Sequence, residues 1–195
     1  YIDSHPDDAL GYINFAQLLI TIKDWKKAEV FLQKALEIDD SSAMAYYCLG
    51  HLHYEQGNFQ KAQHFYGQSI QFGLDDPDVY LMLGLSFMNQ GHHLLAIPYL
   101  QRATETESPD PEALFQYGLA LAKTNYLEEA KKALEKVLTI NSAHADAYYN
   151  LGVIALYKKD LKLAHQHFTS ALEIEPKHAL AARGKENIIE QLHKS

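Results

Sequence analysis

Residues 145–176 read ADAYYNLGVIALYKKDLKLAHQHFTSALEIEP, two apolar-periodic segments split by the polar run Lys158-Lys159-Asp160. At about 100° per residue, Tyr148, Leu151, Gly152 and Ala155 fall on one face of the first segment. Ala164, Phe168 and Ala171 with Leu172 form a matching stripe on the second. The pattern predicts two amphipathic helices that pack on each other, with Gly152 and Ala164 small enough to let their backbones approach closely.

The same unit recurs along the chain without slippage. Gly152, Gly118, Gly84, Gly50 and Ala16 are separated by 34 residues at every step, as are Ala164, Ala130, Ala96, Ala62 and Ala28. The spacing also links Tyr12, Tyr46, Tyr80, Leu114 and Tyr148, and again Leu32, Tyr66, Leu100, Leu134 and Phe168. A fixed period of this length, with one small-residue and one large-residue column in each half, is the signature of a repeat array rather than of a single globular core. Five units follow, at 9–42, 43–76, 77–110, 111–144 and 145–178. Residues 1–8 place Pro6 where Pro176 stands in the last unit and read as the tail of an earlier, truncated helix. Residues 179–195 read as a capping helix with Leu180, Ile188, Ile189 and Leu192 turned inward. The chain begins at Tyr1 rather than methionine, which leads us to expect a processed chain or part of a longer protein.

Turn chemistry agrees with the period. Gln56-Gly57-Asn58 and Gln90-Gly91-His92 place glycine where the first helix ends and a positive φ is needed, and Asn125 fills that slot in the fourth unit. Pro77, Pro109, Pro111 and Pro176 start or stop helices between units, while Pro98 lies inside a helix that its missing N–H should kink.

Composition narrows the function classes. The 195 residues carry a formal net charge of -8, the reverse of the Lys/Arg excess of nucleic-acid binders. The one cysteine, Cys48, cannot form an internal disulfide, so a cytoplasmic protein is expected. No apolar run approaches the ~20 residues of a membrane-spanning helix, and no signal peptide opens the chain.

Counting from the first residue of each unit, the Tyr-Leu-Gly-Tyr-Ala-Phe-Ala-Pro skeleton at positions 4, 7, 8, 11, 20, 24, 27 and 32 resembles the tetratricopeptide repeat. The resemblance covers nearly the whole chain. Its departures are His53 at an aromatic slot, Ser69 and Val137 for alanine at position 27, and the loss of proline at position 32 outside Pro176. It implies an all-α, right-handed superhelical solenoid of five helix-turn-helix repeats plus a C-terminal capping helix. The first helix of each pair, helix A, would line a concave groove that binds peptide segments. Strings such as GYINF, PYLQRA and HADAYYN further resemble small stand-alone bacterial repeat proteins of the YrrB type.

Helix A has a second face, at positions 5, 9 and 12, that should be polar in a solvated helix. Here it reads Ile13, Gln17, Ile20; Tyr47, His51, Tyr54; Leu81, Leu85, Met88; Phe115, Leu119, Ala122; and Tyr149, Val153, Leu156. Lateral packing between neighbouring A helices accounts equally well for positions 5 and 12. Position 9 should open further into the groove, where contiguous apolar groups mark an interaction site. Position 6 adds the amides Asn14, Gln116 and Asn150, each able to bond a ligand backbone as donor and acceptor; Tyr157 extends the face. Asp78, Glu112 and Asp146 stand at position 2, where relatives that clamp a C-terminal carboxylate need Lys or Arg. The expected partner is therefore a peptide or short helix of another protein, neutral or basic rather than an acidic C-terminus. First-turn carboxylates also complement the helix dipole, which explains them without any ligand.

Catalytic and metal chemistry find no support in the sequence. His51 with His53, and His165 with His167, are spaced i, i+2 and point to different helix faces, whereas helical metal pairs want i+3 or i+4. No enzyme, metal or cofactor is expected. Self-association of the array, or service as the recognition arm of a larger enzyme or sensor, are the alternatives to a peptide-binding scaffold.

Overall fold

The computed structural model describes residues 7–194, with side chains placed through Glu190. The expected helix tail around Pro6 and the side chain of Leu192 lie outside those residues. Eleven helices and no strand occupy the described chain, which makes it an all-α repeat solenoid. Five hairpins are formed by α1 (Ala9–Thr21) and α2 (Trp25–Ile38), α3 (Ala43–Glu55) and α4 (Phe59–Gln71), α5 (Pro77–Asn89) and α6 (His93–Ala103), α7 (Pro111–Lys123) and α8 (Leu127–Ile140), and α9 (Ala145–Tyr157) and α10 (Leu161–Ile174). They are followed by α11 (Ala179–Lys194). The helices group into two compact units, α1–α6 through Thr106 and α7–α11 from Glu107.

Helix starts are set by side-chain caps. Asp8, Asp24, Asn58, Asp76, Asp110 and Asp160 each accept from a backbone N–H of the first turn, satisfying donors that the helix leaves orphaned. Pro77 and Pro111 occupy the first helical position, where no N–H is missed. Two histidines take the same role: His144 Nδ1 accepts from Ala147 N at 3.2 Å, and His178 Nδ1 from Ala181 N at 3.1 Å. The turn inside each hairpin passes through the left-handed region at Lys23, Gly57, Gly91, Asn125 and Lys159, with φ of 62, 73, 78, 68 and 62°. Glycine and asparagine signal this turn in the sequence; the two lysines do not. Pro98 is exposed and α6 continues through it as one helix of 11 residues, the shortest of the eleven.

In the first unit, Ala16, Ala28, Leu32, Ala35, Leu49 and Leu52 form one core cluster across α1, α2 and α3, while Ala62, Tyr66, Val79 and Leu83 form the next. In the second unit, Ala155, Ala164, Phe168 and Ala171 of α9 and α10 close against Ala181 and Ile188 of α11. This last contact corrects the expected seating of the capping helix. Leu180 and Ile189 are exposed, and the inward face is formed by Ala181, Gly184 and Ile188. The reason is steric: a Cβ at Gly184 would lie 2.7 Å from Phe168, so α11 turns its glycine rather than its larger residues onto that ring.

Ser69 and His53, both polar residues in apolar slots, are buried with partners. Ser69 Oγ donates to the Ala43 carbonyl at 2.8 Å. His53 stacks on Phe65 with ring centroids 5.3 Å apart and shares a hydrogen bond with Gln56, and burial holds its pKa below the usual histidine value.

Candidate functional site

In the first unit, a cleft of about 500 Å³ between the C-terminal parts of α1 and α3 is lined by Gln17, Ile20, Thr21, Lys23, Tyr47, Cys48, His51 and Glu55. Tyr47 also walls a second, smaller hollow of about 140 Å³ with Met44, Leu74, Asp76 and Asp78. One tyrosine therefore joins two depressions, one of mixed polar and apolar lining and one that carries two aspartates. Its ring packs on the buried Tyr66 at 5.7 Å, and burial, followed by the charge of Asp78, raises its hydroxyl pKa above the usual tyrosine value. The floor of the larger cleft is Cys48, whose Sγ accepts from Gln17 Nε2 at 3.4 Å. His51 presents a half-buried ring there, and its Nδ1 is buried without a hydrogen-bond partner.

The remaining predicted residues of this unit are more deeply committed to packing. Tyr54 meets Phe59 edge-on at 5.4 Å and accepts from Asn89 Nδ2 at 3.1 Å, tying α3 to α5. Leu81, Leu85 and Met88 are half-buried along α5, and Met88 Sδ lies 3.4 Å from His93 Nδ1. Ile13 and Ile20 are buried in the core of α1, so lateral packing accounts for most of their surface.

In the second unit the face divides by position. Phe115 tilts over His144 at 4.7 Å and Tyr149 over His178 at 5.1 Å, so position 5 packs on the histidine that caps the next helix A. Tyr149 also touches Phe168 at 5.8 Å, which makes it as much a core residue as a surface one. Leu119 is half-buried, Val153 is exposed, and Tyr157 is 70% exposed. The amides expected to bond a ligand through both groups have already spent a donor. Gln116 Nε2 donates to Glu112 Oε1 at 2.7 Å, and Asn150 Nδ2 to the Asp146 carbonyl at 2.8 Å. The carboxylates at position 2 act locally too: Asp146 Oδ1 accepts from His178 Nε2 at 3.1 Å. Because Nδ1 of that ring already accepts from the Ala181 N–H, Nε2 is the donor to Asp146.

Lys23, Thr21, Glu55, Met44, Leu74 and Asp76 were not among the predicted residues. They come from helix ends and inter-helix turns, where the periodicity used to find the face stops.

Profiles of the tetratricopeptide repeat match residues 9–42, 31–64, 81–138 and 145–178. The crystal structure of YrrB, described as a TPR protein with an unusual peptide-binding site, superposes with a TM-score of 0.88 at 37% identity, covering 95% of each chain. This chain belongs to the tetratricopeptide repeat family. MamA from Desulfovibrio magneticus RS-1 shares the fold at 21% identity and a TM-score of 0.79, over 88% of this chain and 97% of that one. Pseudomonas aeruginosa PilF does so at 20% identity and 0.76, over 95% and 84%. No curated protein sequence matches significantly. Tetratricopeptide repeats generally mediate protein–protein interaction and are generally non-enzymatic scaffolds. Among the described residues, no helix is long and apolar enough to cross a membrane.

Proposed function

We propose that this protein is a cytoplasmic scaffold that holds a peptide segment of a partner protein against the outward face of its A helices. The observation that carries this reading is the cleft between α1 and α3. Its walls pair apolar surface from Ile20 and Tyr47 with the polar groups of Gln17 and His51, the mixture that grips a side chain while orienting a backbone. The adjoining hollow ends on Asp76 and Asp78, and Glu55 lies at the cleft's edge, which favours a neutral or basic segment over a carboxylate terminus. YrrB, with 37% identity over nearly the same length, is a protein described as having a peptide-binding site, which supports the same class of ligand here.

Position 9 is the column to test, because packing uses it least. His51→Lys, Leu119→Lys and Val153→Lys place a cation on the face at two half-buried positions and one exposed one. Peptides selected from a random display library on the wild-type protein should be apolar with neutral or basic ends. They should lose about tenfold or more in affinity for His51→Lys, a cost of about 1.4 kcal/mol, while helical circular dichroism is unchanged. Peptides that bind all three variants as well as wild type would place the binding surface elsewhere.

A further inference from the structure

The A helices of the first unit, α1, α3 and α5, contain no lysine or arginine. The six such residues of positions 1–106 all stand on turns or on α2, α4 and α6, against 13 carboxylates in the same stretch. Three of the six are already engaged: Lys27 with Asp24 at 2.9 Å, Lys34 with Glu37 at 2.8 Å, and Arg102 with Asp75 and Glu105 at 3.1 and 3.0 Å. Asp76 and Asp78, on the hollow walled by Met44, Tyr47 and Leu74, have no ion-pair partner among the described residues. The only hydrogen bond to either carboxylate there is the cap of α5, from Asp78 N to Asp76 Oδ1 at 2.9 Å. Since the N-terminus of a helix contributes about half a positive charge, two carboxylates leave the hollow net negative. Its volume of about 140 Å³ suits one long side chain. Small-molecule pockets are larger, at about 300–1,000 Å³. Met44 is exposed and Leu74 half-buried, so aliphatic surface lies beside the two charges.

The same unit shows how such groups hold a guanidinium. Arg102 donates from Nη2 to both oxygens of Asp75 at 3.1 Å and lies over the Tyr80 ring, 5.7 Å from its centroid. Tyr47 with Asp76 and Asp78 repeats that combination of a tyrosine ring and an aspartate, and no arginine of the described chain is bonded to it. On the groove reading proposed above, we infer that the hollow takes an arginine side chain of the partner peptide. Its methylenes lie on Met44 and Leu74, and its guanidinium meets Asp76 and Asp78 beside the Tyr47 ring. Arginine fits better than lysine because a planar guanidinium both stacks on an aromatic ring and meets carboxylates through paired donors. Tyr47 also walls the larger cleft, so a near neighbour of this arginine on the ligand chain places its side chain there.

Peptides selected from a random display library on the wild-type protein are the probe. Arginine should recur at one position, and citrulline, its uncharged isostere, should bind about tenfold or more weakly in its place. Asp76→Asn keeps the cap of α5, since asparagine caps as well as aspartate, and combined with Asp78→Asn it removes both charges. Arginine and citrulline peptides should bind that double variant alike. Selected peptides that lack a recurrent arginine yet lose affinity for His51→Lys overturn the anchor and leave the groove reading standing. Arginine peptides indifferent to the double variant overturn the anchor as well. Arginine peptides that lose affinity for the double variant but not for His51→Lys uphold the anchor and move the rest of the ligand off the cleft. A library that yields no binder overturns both.

Discussion

The backbone of Gly152 lies directly against the ring of Phe168: a Cβ on that glycine would sit 2.6 Å from Cε1. Gly184 of α11 meets the other edge of the same ring, with its Cβ site 2.7 Å from Cε2. One aromatic side chain is thus held between glycines of two helices, and the same column places Gly50 on Tyr66 at 2.6 Å and Gly84 on Leu100 at 2.6 Å. In the first repeat alanine and leucine fill these places as Ala16 and Leu32, both fully buried. The pairing of a small residue with a large one, rather than glycine itself, is what the repeat requires.

That column makes a graded prediction for glycine-to-alanine substitution. Alanine gains about 1 kcal/mol of helix propensity over glycine, while overpacking costs about 1–3 kcal/mol. At Gly152 and Gly50 the obstructing atoms belong to buried aromatic rings, so overpacking wins and Gly152→Ala should lower stability by about 1–2 kcal/mol. At Gly118 the nearest atom is Leu134 Cγ at 3.1 Å, a gap that a few tenths of an ångström relieves. Gly118→Ala should be neutral or stabilising in chemical denaturation. Equal losses at both sites would refute the steric ranking.

Tyr66 offers a gain instead of a loss. Its ring is fully buried and its hydroxyl has no hydrogen-bond partner, and burial drives its pKa far above the usual tyrosine range. A buried, unsatisfied hydroxyl costs about 1–3 kcal/mol. Phe168 occupies the equivalent register in the fifth repeat, which shows that the slot accepts a phenyl ring. Tyr66→Phe should therefore raise the denaturation midpoint, by about 1 kcal/mol once the small void is counted. A destabilised Tyr66→Phe would mean that the hydroxyl has a role that its surroundings do not reveal.

The left-handed turn at position 15 shows what the sequence makes legible and what it does not. Gly57, Gly91 and Asn125 are residue types that announce a positive φ; Lys23 and Lys159 adopt it only because the 34-residue register places them there. Register likewise placed the helix pairs and the buried columns correctly, since those depend on side-chain size repeated at a fixed interval. Side-chain hydrophobicity alone misled at α11: Ile188 is buried as expected, but Leu180 and Ile189 are exposed, and the helix turns Gly184 onto Phe168 instead. The candidate site was legible as a face but not as a cavity. Tyr47 and His51 do meet in a cleft, whereas Tyr149 turns toward Phe168 and His178, a choice made by the histidine cap that no apolar periodicity encodes.

Lys23 and Lys159 should each tolerate glycine with a gain. A non-glycine residue in the left-handed region costs about 1–2 kcal/mol, partly offset by the greater entropy that glycine loses on folding, about 0.5–1 kcal/mol. Lys159→Gly should raise stability by about 0.5–1 kcal/mol, and Lys159→Ala should give none of that gain. Thermal melts of the two variants side by side separate the backbone effect from loss of the charge.

Cys48 couples the cleft to pH. Burial pushes its thiol from an ordinary value of 9.0 up to about 11, against a small opposing pull from the Gln17 hydrogen bond. A group whose folded pKa is raised contributes stability that is fully present below the unfolded value and is lost as pH climbs through the folded one. Stability should thus hold up to pH 9 and fall between pH 9 and 11, by up to about 1.4 kcal/mol per pH unit from this residue. Cys48→Ala should flatten that limb, although its stability at pH 7 will be lower because a buried side chain is shortened. The same burial makes the thiol a poor nucleophile, so a disulfide reagent at pH 8 should modify native protein far more slowly than denatured protein. Rapid labelling of the folded chain would show that the cleft floor opens, and the alkaline limb of the stability curve would then vanish with it.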